Sequence, residues 1–255
     1  MTGLSHLSVR DLRKHYDATL VLNEIAFDIP RGEIAALIGP NGAGKSTLFG
    51  ILSGALKADG GTVLLNGEGI LGLSPEAVAR RGVGRTFQTS QPYRSLRVIE
   101  SLLLIQSGSA SAWTRLTKPL GRWSREAALA VLDEVGLADL AEAPSAALSY
   151  GDAKRLELAM ALVRSPSLLL MDEPTAGMAP GERVAFMELV RRRSAERGTT
   201  VLFTEHDMAT VFGFAARVLV LDRGRMIADG TPEAVRADAE VRRAYLGNAQ
   251  PTKAL

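Results

Sequence analysis

Cysteine is absent from this chain of 255 residues, which excludes a disulfide framework, thiolate catalysis and cysteine-ligated metals. The absence agrees with a reducing compartment. Long apolar runs are missing as well: the most apolar stretches, such as Leu168 to Met171, fall far short of the roughly 20 residues that cross a bilayer. The opening MTGLSHLSVRDLRKHYD holds no apolar segment of secretory type. Any membrane role is therefore expected to come through a partner. Neither sign of charge is in excess. The formal net charge of +2 makes no electrostatic case for nucleic acid, and the cluster Arg191-Arg192-Arg193 reads as a solvated helix face.

What is present suits a globular chain with a sizeable core, 46% hydrophobic and 23% charged. No repeat or low-complexity linker divides it, so one continuous domain is expected over residues 1–247, with a short tail over 248–255. Three β-like segments come first, LSVRDLRKHY, LVLNEIAFDI and EIAALI, separated by turns at Asp17 and at Pro30-Arg31-Gly32. From Glu33 onward, apolar strands alternate with helical runs: Glu33 to Ile38 before a glycine-rich loop and a helix, Leu168 to Met171 before a helix from about Gly181, then the strand TVLFT. That alternation predicts an α/β fold with a mostly parallel sheet and helices on both faces. Residues from about 88 to 150 read as an inserted helical subregion, with SGSASAWTRLTKPLGRW as a loop or broken helix inside it. The end, TPEAVRADAEVRRAYLG, reads as short helices begun by Thr-Pro.

Gly39-Pro40-Asn41-Gly42-Ala43-Gly44-Lys45-Ser46-Thr47 matches G-x-x-x-x-G-K-[ST] between an apolar strand and a helical run. Glycines let the backbone fold so tightly that its N–H groups face phosphate oxygens. Lys45 supplies charge for the β- and γ-phosphates, the Ser46 hydroxyl can ligate Mg²⁺, and the helix turns its positive end to the anion. A chance match in a chain of this length is roughly 1 in 100, so a nucleotide-binding loop is expected. The strand Leu168-Leu169-Leu170-Met171 ends in Asp172 and Glu173, where open α/β sheets bind ligands. Asp172 can hold Mg²⁺ through water, and Glu173 can polarise an attacking water. Alone, that pair is as well read as a solvated strand cap; beside the phosphate loop it reads as chemistry.

Four further features narrow the class. Leu148-Ser149-Tyr150-Gly151-Asp152 opens a helix whose Leu156, Ala159, Met160 and Val163 share a face, with Ser149 as N-cap and Asp152 three residues on, an ordinary capping pattern. His206, after the strand TVLFT, is within reach of a γ-phosphate, although a lone histidine is more often structural. Gln88 in Arg85-Thr86-Phe87-Gln88 is a polar side chain that could sense Mg²⁺ and water. Tyr16 precedes the loop by two strands and can stack on an adenine.

In this order and spacing, Tyr16, the phosphate loop, Gln88, LSYGD, Asp172-Glu173 and His206 resemble the ABC ATPase family across nearly the whole chain. The resemblance implies a P-loop NTPase core with an N-terminal antiparallel β subregion and the inserted helical one. It also implies a working dimer in which ATP lies between the phosphate loop of one subunit and Ser149 and Gly151 of the other. Tyr16 would then stack the adenine, while Gly39 to Thr47 hold the phosphates. Ser46 and Gln88 would bind Mg²⁺ directly and Asp172 through water; Glu173 would orient the water, and His206 would hold the γ-phosphate, with Lys45 and Gln88 sharing the catalytic work.

The strings GVGRTFQTSQPYRSLRVIESLL, LSYGDAKRLELAMAL, DEPTAGMAP, TEHDM and GTPEAVRADAEVRRAYLG look like the ATPase subunits of branched-chain amino acid importers. This implies transmembrane permease subunits, a second ATPase subunit and, indirectly, a periplasmic or lipid-anchored solute-binding protein. It implies no nucleic acid, and a peripheral position on the cytoplasmic face of the inner membrane. A permease helix is expected to dock near Tyr93-Arg94. Urea or amide importers and the lipopolysaccharide-transport ATPase are similar too. A soluble ABC ATPase of translation or repair is disfavoured by the single cassette and the lack of coiled coil, and a P-loop kinase or GTPase by LSYGD and His206. Two positions depart from the family pattern: Asp152 where Gln or Glu is usual, and Ala179 where Asp or Asn is usual. Both fall on the face that completes the opposite site, which is expected to be weakened.

Overall fold

The computed structural model describes residues 5–86, 95–108 and 125–246. Gln88, Tyr93-Arg94, most of the SGSASAWTRLTKPLGRW segment and the tail 248–255 lie outside the described residues. Ten strands are described: β1 (Ser5–Tyr16), β2 (Thr19–Pro30), β3 (Ile34–Ile38), β4 (Gly60–Leu65), β5 (Glu68–Gly69), β6 (Val83–Arg85), β7 (Leu168–Asp172), β8 (Thr200–Thr204), β9 (Arg217–Asp222) and β10 (Arg225–Gly230). The helices among them are α1 (Lys45–Leu52), α2 (Pro75–Arg80), α3 (Val98–Gly108), α4 (Arg125–Glu134), α5 (Tyr150–Leu162), α6 (Pro180–Arg197), α7 (Met208–Phe214), α8 (Pro232–Ala237) and α9 (Ala239–Val241).

Two sheets divide the strands. The smaller runs β2-β1-β4-β5 and is antiparallel throughout, the N-terminal β subregion expected. Its first two strands are long and half-buried, with apolar side chains alternating inward. A bulge between Val9 and Leu12, where Asp11 takes φ 48°, shifts that alternation so that both apolar residues still face the core. The larger sheet runs β10-β9-β3-β8-β7-β6. It is parallel from β9 to β6, with β10 antiparallel at the edge.

β3, β7 and β8 are buried at every residue, as parallel strands covered on both faces must be. β3 joins the two cores. Ala35 and Leu37 pack with the smaller sheet and α1, while Ile34, Ala36 and Ile38 pack with α5, α6 and the helical subregion. Each fully buried leucine or isoleucine contributes about 1.5–3 kcal/mol, so this one strand stabilises both halves.

The helical subregion contains α3 and α4 before α5, and it is gripped by α6. Arg197 makes a two-pronged pair with Glu134 at 2.6 and 2.8 Å, and the Arg193 guanidinium donates to the Glu134 carbonyl at 2.9 and 3.1 Å. The arginine cluster is thus not simply a solvated face: Arg193 is turned onto the end of α4, and Arg191 lies 5.9 Å from the Phe214 ring. α5 is buried on more sides than its 156-159-160-163 face, since Leu158, Ala161 and Leu162 are buried too. Thr231 caps α8 through the Ala234 amide, with Pro232 in the first turn.

Candidate nucleotide site at the ends of the parallel strands

Because β3, β6, β7 and β8 are parallel, their carboxyl ends share one edge of the sheet. The phosphate loop leaves β3, Asp172 closes β7, and His206 follows β8. Gly39 and Gly44 take φ 153° and 108°, conformations that L side chains avoid. A Cβ on Gly39 would lie 2.0 Å from the Leu221 carbonyl oxygen, so only glycine lets the loop lie against β9. The turn after β9 also holds the loop from outside, the Gly224 amide donating to the Ala43 carbonyl at 3.0 Å. Gly44 begins α1 in the left-handed region and no side chain caps the helix, which leaves its first amides to an anion.

The Lys45 ammonium donates to the Gly39 and Pro40 carbonyls at 2.6 and 3.1 Å. Burial lowers its pKa, with Glu173 and Asp172 opposing that shift. Lys45 thus carries its charge in the field of both carboxylates. Asp172 is buried, with one oxygen accepting from the Thr204 hydroxyl at 2.6 Å and the other 3.9 Å from the Arg85 guanidinium. Arg85 also donates to Ser53 at the end of α1 at 2.8 Å. Glu173 has φ 47°, and its amide donates to the Thr204 carbonyl and hydroxyl at 3.1 and 3.0 Å. Its carboxylate meets His206 Nε2 at 2.9 Å. The strained backbone turns Glu173 away from the strand toward His206.

Ser46 is exposed and next to Lys45. The Ser46 hydroxyl and the Asp172 carboxylate are hard oxygen donors of the kind magnesium takes, and would hold it together with phosphate oxygens. Tyr16 ends β1, in the smaller sheet, half-exposed and with the Lys14 ammonium 5.4 Å from its ring.

Ser149 caps α5 as its sequence suggested, accepting from the Asp152 amide at 3.1 Å, and its hydroxyl donates to the Asp152 carboxylate at 2.6 Å. Ala179 begins α6 with no side chain to cap it; Glu182 reaches back to its amide at 3.3 Å. The sequence reading missed several supports. Thr204 holds the Asp172 carboxylate and the Glu173 backbone amide, and Glu205 accepts the Thr175 amide and hydroxyl at 2.8 and 2.7 Å. Arg183 bridges the Met178 carbonyl and Asp207, both at 3.1 Å. A run of Asp-Glu-Pro-Thr facing Thr-Glu-His-Asp, each ending a strand, was the available signal.

A second concavity opens beside this edge, with Arg85 common to both. It is a cavity of about 340 Å³ where Arg85, Ile105, Glu157, Met160 and Arg164 converge. Arg164 is pushed down from its ordinary pKa by burial, with Arg80 adding to the shift.

Residues 22–176 match the family model for ABC transporters, and residues 225–250 match that for the branched-chain amino acid ATP-binding cassette transporter. The high-affinity branched-chain amino acid transport ATP-binding protein LivG of Escherichia coli is 40% identical, over 95% of this chain and 98% of its own. BraF of Pseudomonas aeruginosa, with the same description, is 36% identical over 95% and 98%. LptB of Haemophilus influenzae, a lipopolysaccharide export system ATP-binding protein, is 33% identical over 96% and 98%. Among solved structures, a nucleotide-free ATP-binding cassette from an ABC transporter superposes with TM-score 0.86 at 30% identity, covering 96% of this chain and all of that one. With a phosphate loop facing two carboxylates and a histidine at one sheet edge, and with these relatives along its length, the chain belongs to the ABC transporter family as one of its ATP-hydrolysing cassettes.

Proposed function

We propose that this cassette powers the import of branched-chain or other hydrophobic amino acids through separate permease subunits. The observation that carries the chemistry is the 2.9 Å contact of His206 with Glu173 beside the buried Asp172, at the sheet edge where the phosphate loop leaves β3. The C-terminal match over residues 225–250 favours amino acids over the urea, amide or lipopolysaccharide alternatives.

Phosphoryl transfer asks mainly for positioning and charge neutralisation. Lys45 exchanges two loop carbonyls for phosphate oxygens, and the uncapped amides of α1 take the rest of that charge. Tyr16 stacks the adenine. Glu173, turned out of β7 and steadied by Thr204, accepts a hydrogen bond from the attacking water. His206 holds the γ-phosphate while fixing Glu173 on its other side. Magnesium, when bound by Ser46 and Asp172 with Gln88, supplies further neutralisation of phosphate charge. Ser149 and Gly151 address the nucleotide of the facing cassette. The reading takes residues 1–247 as one cassette.

Among the described residues no helix is long and apolar enough to cross a membrane. On this reading, supported by the likeness to transport ATP-binding proteins, the cassette works from the cytoplasmic face of the membrane, on permease subunits, beside a second ATPase and fed by a solute-binding protein. The cavity at Arg85, Ile105 and Arg164, between the helical subregion and the sheet, suits a permease segment. Purification of the tagged chain from mild-detergent membranes tests this. Two permeases and a second ATPase are expected, and lipopolysaccharide-export components or soluble partners would overturn the amino-acid reading. Glu173→Gln is expected to keep ATP binding while turnover falls by about a thousandfold or more.

A further inference from the structure

Tyr150 stands in LSYGD directly after the serine that caps α5. Its ring does not point into the helix's own core but across to the segment that follows Glu173. The hydroxyl donates to the Ala176 carbonyl at 2.6 Å. The ring lies so close to Gly177 that a Cβ there would sit 3.0 Å from the hydroxyl oxygen; Gly177 itself takes φ 79°. Ala176 is in turn tied to Glu173, its amide donating to the Glu173 carbonyl at 3.2 Å. One side chain thus connects the end of α5 to the turn that sets where Glu173 stands.

The other side of the ring leads back along α5. The Lys154 ammonium lies 5.8 Å from the Tyr150 ring and pairs with Glu157 at 3.2 Å. Both charges are almost fully buried, and Glu157 lines the 340 Å³ cavity. Residues 150, 154 and 157 follow helical spacing, so a continuous row of contacts runs from the cavity wall to Ala176.

We infer that Tyr150 is a positioning residue for Glu173. Its hydroxyl ties the turn carrying Glu173 to the helix end that addresses the facing cassette's nucleotide, so that each site senses the other. This rests on the reading of Glu173 and Ser149 given above. Half of the tyrosine surface is open, so Tyr150→Phe removes the hydroxyl with the ring and the fold retained.

The test uses the tagged full chain with whatever subunits accompany it from solubilised membranes, and MgATP. In Tyr150→Phe, kcat is expected to fall about 3- to 10-fold, as loss of one hydrogen bond implies. KM for ATP should stay within twofold, and amide hydrogen exchange should quicken across residues 175–179. A role in stability alone would not confine faster exchange to that segment. Turnover within twofold of the parent, a rise in KM alone, or unaltered exchange at 175–179 would each overturn the inference. Glu173→Gln is measured in parallel: if it keeps its turnover, the reading of Glu173 falls instead, while exchange in Tyr150→Phe still judges the tie.

Discussion

Ser149 and Asp152 satisfy each other: the serine hydroxyl donates to the aspartate carboxylate at 2.6 Å, and the aspartate amide donates back to the serine oxygen at 3.1 Å. The arrangement suits the helix, because a carboxylate in the first turn is stabilising. It suits an incoming phosphate badly, because that carboxylate occupies the positive end of α5 and takes the hydroxyl a phosphate would want.

The first prediction follows from that conflict. Asp152→Gln with Ala179→Asn should tighten ATP-dependent association of cassettes about tenfold. Sedimentation of the Glu173→Gln form with ATP reads the change, and an unaltered association constant would sink the idea.

Glycines of the phosphate loop should differ sharply in their tolerance. Gly39→Ala drives a methyl group onto the Leu221 carbonyl and should cost more than about 3 kcal/mol. Gly42 also has a positive φ, 81°, but nothing lies within 4 Å of its missing Cβ. Gly42→Ala should therefore cost about 1 kcal/mol. Urea unfolding of the two variants gives the comparison.

The buried pair Lys154–Glu157 should be costly to break and cheap to remove. Lys154→Met leaves a carboxylate in the core and is expected to destabilise by about 3–5 kcal/mol. Adding Glu157→Leu should recover most of that loss. A double variant no more stable than the single one would contradict this account.

Asp207 sets an acid limit on the His206 neighbourhood. The Thr210 hydroxyl first, and then Arg183, hold its carboxyl below the ordinary 3.8. A folded pKa below the unfolded one means stability that is complete above about pH 4 and is lost as pH falls through the folded value. Asp207→Asn should therefore lower Tm by a constant amount at neutral pH, and the gap should narrow below pH 4. A gap that widens in acid would reverse the assignment.

The phosphate loop and the strand-end carboxylates were legible because their chemistry is written in contiguous residues. The Ser149 cap and the Thr231-Pro232 start were legible for the same reason: each is a contact of a residue with its own helix. What escaped depends on distant partners. Nothing around Gly39 announces that Leu221 will lie against it, and nothing in the arginine cluster says that Arg193 and Arg197 will close on Glu134. β6 has three residues, too few for a period to show. Tyr150 stands in a contiguous motif, but the carbonyl it holds lies 26 positions away.

α6 has 18 residues, which makes it a rod about 27 Å long. Its first residues follow Ala179 on the face expected to meet another cassette, and its last turns grip the helical subregion through Arg193 and Arg197. A rod fastened at both ends is a lever. A tilt of about 5° at the nucleotide end would carry the far end roughly 2 Å over that length, so the displacement reaching the helical subregion is set by geometry and needs no chain of small rearrangements between them.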